Sequence, residues 1–187
     1  MISVVTDGHF FGGSFDELAA VRGALDAELG SARPPLLCKE FILDPIQLDW
    51  ASAAGADAVL LIARCLEGDQ LEELISAAGD RGTLALVEVT SMEELARATD
   101  AYAEAVGVNV RDLDTLEMDA GRAAAVLNKI EEGTPAVHMS GLRGPEDVAR
   151  VAATRADAAL VGEALMRMDD PTELLAAMVK AASAPRP

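Results

Sequence analysis

The chain has 187 residues, 51% of them hydrophobic and 3% aromatic, with a formal net charge of −17. Its length and apolar content fit one soluble domain with a core of Ala, Val, Leu, Ile and Met; no leader or apolar run of about 18 residues is read, so no membrane partner and a cytoplasmic setting are expected. The acidic balance argues against a nucleic-acid surface, and two cysteines, Cys38 and Cys65, give neither a disulfide framework nor zinc-like spacing, so reduced thiols, no metal and no cofactor are expected.

From the start of the chain, short aliphatic or β-branched runs alternate with longer stretches whose apolar residues fall at helical spacing, the pattern of βα units on a parallel sheet. A strand over 2–6 precedes a helix over 14–29, and a strand over 36–41 precedes a helix over 45–54. Strands over 58–63 and 84–89 lead to helices over 70–78 and 92–99. The second half continues with strands 105–110, 136–140 and 158–162 and helices 118–130, 145–152 and 171–182. Several helices open on Ser, Asp or Pro, which suit the first turn. Met166, Met168 and Met178 read as core and loop packing, and His9, His138 and Trp50 as structural.

A doubly wound sheet and a barrel both fit this string. Two details favour an α/β fold of the TIM (β/α)8-barrel type, truncated to about seven βα units, with residues 1–187 as one incomplete barrel domain. Polar residues stand at the C-terminal ends of separate strands, at Lys39, Glu88, Asn109 with Arg111, and Ser140, and that rim is where barrels place their sites. The last two units end in small-residue turns, Ser140-Gly141-Leu142-Arg143 and Val161-Gly162-Glu163, of the kind that binds phosphate through backbone N–H groups. In so acidic a chain a small anionic ligand needs a local positive site, and Lys39, Arg111 and Arg143 are the basic residues at strand ends.

The run Leu37-Cys38-Lys39-Glu40-Phe41-Ile42 resembles the third-strand motif of indole-3-glycerol-phosphate synthases. The resemblance continues through Phe11-Gly12-Gly13-Ser14, through Val87-Glu88-Val89, and through Gly107-Val108-Asn109-Val110-Arg111-Asp112-Leu113 followed by Thr115-Leu116-Glu117. It ends with Ser140-Gly141-Leu142-Arg143 and Leu160-Val161-Gly162-Glu163. It implies a lyase that closes a ring on a carboxyanilino-deoxyribulose phosphate, with loss of carbon dioxide and water, in tryptophan biosynthesis.

By that resemblance Lys39 donates the proton at the substrate carbonyl, Glu88 serves proton transfer or stabilises charge on the aniline nitrogen, and Asn109 completes the catalytic set. Arg111, Ser140, Gly141, Gly162 and Glu163 bind the substrate's hydroxyl and phosphate end, while Phe11, Phe41, Leu60, Leu113 and Leu116 form the apolar wall around its aromatic ring. Alternation independently puts Lys39 with Phe41, Asn109 with Arg111, and Val137 with Met139 on shared faces, and turns Cys38, Glu40, Val110 and His138 outward. Without its flanking motif Lys39 reads as a barrel-end lysine reaching to solvent, and Arg111 as a bridge to Asp112 or a nearby loop. Glu88, set in an apolar strand, reads as functional or ion-paired, with Lys39 its natural partner.

Two features depart from the family pattern. The chain begins at what resembles the family's second strand, so a first strand with its Glu, Lys and Ser-Pro-Ser segment is not matched. Seven strands cannot close as eight do without a gap, and open strand edges predict a homo-oligomer or complementation by another chain. At Met139 the family has a carboxylate, and a thioether carries no proton. The alternatives to the family lyase are therefore a catalytically degenerate barrel acting as a ligand-binding or partner subunit, and a changed cyclisation or carbon–carbon cleavage in specialised metabolism.

Overall fold

The computed structural model describes residues 1–183. The chain falls into two compact units, one of residues 1–88 with 97–104, the other of residues 89–96 with the chain from Ala105 onward.

In the first unit, β1 (Ile2–Val5), β2 (Leu36–Lys39), β3 (Ala58–Ile62) and β4 (Leu84–Val89) lie parallel, each hydrogen-bonded to its predecessor. Helices α1 (Phe15–Leu29), α2 (Pro45–Ala53) and α3 (Gln70–Asp80) connect them. Local chemistry sets their ends. Ser14 Oγ accepts the Glu17 N–H at 3.1 Å to open α1, and Gly30, at φ 54°, closes it. Asp44 and Gln47 form a reciprocal capping box at the start of α2, ahead of a proline in its first turn. β3, whose five residues are aliphatic and all buried, reads as a strand covered on both faces.

At the N-terminal ends of these strands Asp57 acts as a staple. It accepts the Leu36 N–H at 2.7 Å and a two-pronged pair from the Arg33 guanidinium at 2.6 and 2.9 Å. The Arg33 hydrogen bonds hold the Asp57 carboxyl at about 2, below its ordinary value.

In the second unit β5 (Ala105–Asn109), β6 (Ala136–Met139) and β7 (Ala158–Leu160) are again parallel and in chain order, joined by α5 (Ala120–Leu127) and α6 (Pro145–Ala152). The four-residue helix α7 (Glu163–Met166) and the closing α8 (Thr172–Ala182) follow. α4 (Met92–Asp100) is shared between the two groupings. Asp157 repeats the Asp57 device, accepting the Ala136 N–H at 3.0 Å and the Arg155 guanidinium at 2.7 Å. Neither unit contains the reversal of strand order that defines a doubly wound sheet; strictly sequential parallel strands are barrel order.

Several expected boundaries move. Met118 pairs with Arg111 in an antiparallel bridge instead of opening a helix, and Asp119 caps α5 by accepting the Arg122 N–H at 2.8 Å, so α5 runs from 120 to 127, not 118 to 130. α7 lies where no helix was expected. Met178 is core, packed with Leu142 and Val148, but Met166 is 84% exposed and does not pack as read from the sequence.

Candidate functional site

In the first unit the strand register decides which side chains share a face. Val5 lies beside Lys39, Leu37 beside Ala58, Leu60 beside Leu86 and Ile62 beside Glu88. Lys39, Leu60 and Glu88 therefore project from one face of this sheet, as alternation requires. Lys39 is the last residue of β2, Leu60 is fully buried, and Glu88, near the end of β4, is 1% exposed. Lys39 makes no ion pair with Glu88, contrary to the expected partnership; its ammonium has no hydrogen-bond or ion-pair partner among the described residues.

Phe41 lies just beyond β2 and is half-buried. The ring that meets it edge-on is Phe10, with centroids 6.3 Å apart, not the Phe11 named from the sequence motif. Both loop phenylalanines are exposed, at 73% and 66%, and their backbone N–H groups are held by Asp7 Oδ1 at 2.7 and 3.2 Å. An Asp followed three residues on by paired aromatics is a local turn signal that could have drawn attention to Phe10. On the opposite face Cys38 is fully buried, and that burial pushes its thiol up to about 11.

The second unit carries the other set. Asn109 ends β5 and is buried, and its Oδ1 accepts the Arg111 N–H at 3.0 Å. Register puts Met139 beside Asn109, 2% exposed, and His138 beside Val108 on the opposite face. His138 is thus turned away from Asn109 as expected; its burial lowers the imidazole pKa, with a Ser140 backbone hydrogen bond opposing.

Arg111 Nη2 reaches Glu163 Oε2 at 3.7 Å, and Glu163 also accepts from Arg167 at 2.7 Å. Asp112, the alternative partner considered for Arg111, is taken by Arg122, whose Nη1 lies at 3.1 Å while Nη2 donates to the Val110 carbonyl at 3.1 Å. Arg122 is a further residue that sequence reasoning missed; it bonds the backbone carbonyl before Arg111 and the side chain of the residue after it.

Ser140 and Gly141 form a left-handed turn after β6 at φ 73° and 78°, and Gly162 and Glu163 open α7. A Cβ on Gly141 would stand 2.7 Å from Met118 Cε, so that methyl group sits directly on the turn. Leu113 is half-buried and Leu116 exposed in the tight loop between Arg111 and Met118, where Asp112 N–H bonds the Glu117 carbonyl at 2.9 Å. Lys39, Glu88, Leu60, Phe41 and Phe11 thus belong to the first unit, and Asn109, Arg111, Leu113, Leu116, Ser140, Gly141, Gly162 and Glu163 to the second.

A model of the indole-3-glycerol phosphate synthase family matches residues 1–178. An indole-3-glycerol phosphate synthase of Kineococcus radiotolerans is 45% identical over 185 residues, covering 99% of this chain and 65% of the relative. One of Halobacterium salinarum is 47% identical over 165 residues, covering 88% of this chain and 61% of the relative. The chain thus spans a little under two thirds of the length of these relatives. Among solved structures, 3-hexulose-6-phosphate synthase from Salmonella typhimurium superposes with a TM-score of 0.74 at 15% identity, covering 96% of this chain and 85% of that one. Thiamine phosphate pyrophosphorylase from Pyrococcus furiosus gives 0.73 at 18% identity, covering 97% and 81%. These likenesses carry the fold alone: a TIM-barrel-type α/β fold with seven βα units.

Proposed function

The chain belongs to the indole-3-glycerol phosphate synthase family, and from that premise we propose that it acts as, or forms the greater part of, a lyase closing the indole ring of a carboxyanilino-deoxyribulose phosphate. The observation that carries this reading is the common face of Lys39, Leu60 and Glu88 at strands whose order and sequence match the family.

Ring closure forms a bond from the aniline ring carbon to the substrate's carbonyl carbon, and the oxygen takes a proton. An ammonium without a competing ion pair suits Lys39 as donor. Carbon dioxide then leaves, its bonding electrons restoring the ring, and the new hydroxyl, protonated by a general acid, departs as water while the adjacent methylene carbon gives up a proton to form the indole double bond. Glu88, a buried carboxylate, suits proton transfer or stabilisation of positive charge at the aniline nitrogen. In the second unit Asn109 and Arg111 suit hydroxyl and anion binding, and the Ser140-Gly141 and Gly162-Glu163 turns suit phosphate. Phe41, Phe11, Leu60, Leu113 and Leu116 supply apolar surface for an aromatic ring. The reaction calls for no cofactor or metal, and a cytoplasmic setting fits it.

The test is turnover of carboxyanilino-deoxyribulose phosphate by the purified chain, with loss on Lys39→Ala. Met139 favours a second reading, ligand binding without turnover, because a buried thioether stands where the family has an acid-base carboxylate. Binding with no product would support it.

The reading also includes a partner at the strand edges. β1 pairs with β2 and β7 with β6, while Ile2 and Val5 of β1 are exposed, and such an edge accepts a further strand from a second copy or another polypeptide. Sedimentation that returned only monomer, with or without a candidate partner, would count against it.

A further inference from the structure

One buried residue, Thr6, is bonded both to the backbone of Lys39 and to the side chain of Glu40, which follows it. Thr6 donates its backbone N–H to the Lys39 carbonyl at 3.1 Å and its hydroxyl to Glu40 Oε2 at 2.9 Å. Glu40 Oε1 accepts the Phe41 N–H at 2.9 Å. Thr6 thus holds the Lys39 carbonyl directly, and holds the Phe41 amide only through the Glu40 carboxylate that both engage. We propose that Thr6 and Glu40 are positioning residues for Lys39, a role that rests on the acid-base reading of that lysine.

The physical case begins with the lysine itself. Its stem has four rotatable bonds and its ammonium has no side-chain partner among the described residues, so only the backbone beneath it sets where it points. β2 ends at Lys39, and beyond it the sheet ladder no longer holds the chain. The Thr6 and Glu40 bonds take over at that point. Glu40 lies on the face opposite Lys39, half-buried, with no basic partner among the described residues. A carboxylate is a costly way to fill such a position, whereas an apolar side chain would pack there without desolvation cost. Its two oxygens are used one each, for the Thr6 hydroxyl and the Phe41 amide, which is the use that justifies the charge. The Thr6 hydroxyl also lies 3.4 Å from Cys38 Sγ, so the inner end of the brace is buried.

The chain contains three lysines, Lys39, Lys129 and Lys180. Reductive methylation with carbon-13 formaldehyde therefore gives a readable spectrum, in which Lys39→Arg assigns the Lys39 signal. In the unmodified sequence the Lys39 dimethylamino resonance should stand apart from those of Lys129, Lys180 and the N-terminal amine. Thr6→Val, which keeps the shape and removes the hydroxyl, should move it toward the Lys129 and Lys180 signals, and Thr6→Ser should leave it in place. With substrate, Thr6→Val should lower kcat on the order of ten-fold with KM changed less than about two-fold, and Ser should restore it. An unmoved Lys39 resonance in Thr6→Val, or unchanged kcat, overturns the proposal. If Thr6→Val does not fold, Glu40→Ala removes the same acceptor and must give the same shift. The spectrum needs no turnover: a moved resonance in a chain that makes no product defeats the lyase reading alone, while product formation with an unmoved resonance defeats the positioning role alone.

Discussion

Arg111 Nη2 lies 3.7 Å from Glu163 Oε2, so the guanidinium proposed to bind an anionic ligand already has a carboxylate beside it. Both side chains are more than a third exposed, and pairs of that kind are worth about 0.2–1 kcal/mol. An incoming phosphate must displace or share with Glu163. Glu163→Gln should therefore tighten binding of inorganic phosphate roughly two- to five-fold, and Arg111→Met should weaken it, as read by calorimetric titration at low salt. Weaker phosphate binding in the Gln variant would mean that Glu163 orients Arg111 instead of competing for it.

Gly141 is constrained twice, by φ 78° and by Met118 Cε in the path of a Cβ. The two causes differ in size. Met118 is exposed and flexible and can swing aside, whereas the left-handed backbone cannot relax without breaking the turn. Gly141→Ala should cost about 1–2 kcal/mol in urea unfolding, and adding Met118→Ala should recover less than about 0.5 kcal/mol. A large recovery would make the steric contact the dominant cause.

His138 gives the fold an acid limit. Burial lowers its pKa, so below the ordinary value of 6.5 the unfolded chain takes up a proton more readily than the folded one. Stability from this group is complete above pH 6.5 and is lost as pH falls toward and through the lowered folded value. The urea midpoint should drop between pH 7.5 and 5.5, and His138→Gln should flatten that part of the profile.

Cys38 and Cys65 should separate cleanly with a thiol reagent. Cys65 is exposed and Cys38 is fully buried, its thiol pushed up to about 11 by burial, with Thr6 opposing and Glu40 adding to the rise. One thiol per chain should react quickly at neutral pH and the second only on unfolding. Because the folded value is raised, the matching stability is present below the ordinary value of 9.0 and is lost as pH climbs through about 11.

The strands were legible because a buried parallel strand is a short aliphatic run, and their faces because side chains alternate strictly. That is why Lys39, Leu60 and Glu88 share a face, and why His138 is turned away from Met139, as the residues alone imply. What escaped the sequence is held by bonds between residues far apart in it. The Thr6–Glu40 bond spans 34 positions and leaves no periodic trace. Arg122 reaches back across a turn to Val110 and Asp112, and Met118 and Asp119, which fit the helical pattern that follows them, end the loop back to Arg111 instead of opening the helix. α7, at four residues, is too short to show one. Phe10 and Phe11 are neighbours of the same type, and only the turn at Asp7 decides which of them meets Phe41.

The acid-base roles proposed for Lys39 and Glu88 in indole ring closure are tested most directly by single-turnover reaction of the purified protein with carboxyanilino-deoxyribulose phosphate, followed by indole fluorescence. Indole-3-glycerol phosphate should form, with formation lost in Lys39→Ala and reduced by at least about a hundred-fold in Glu88→Gln. Product formation that persists undiminished in Lys39→Ala would contradict those roles.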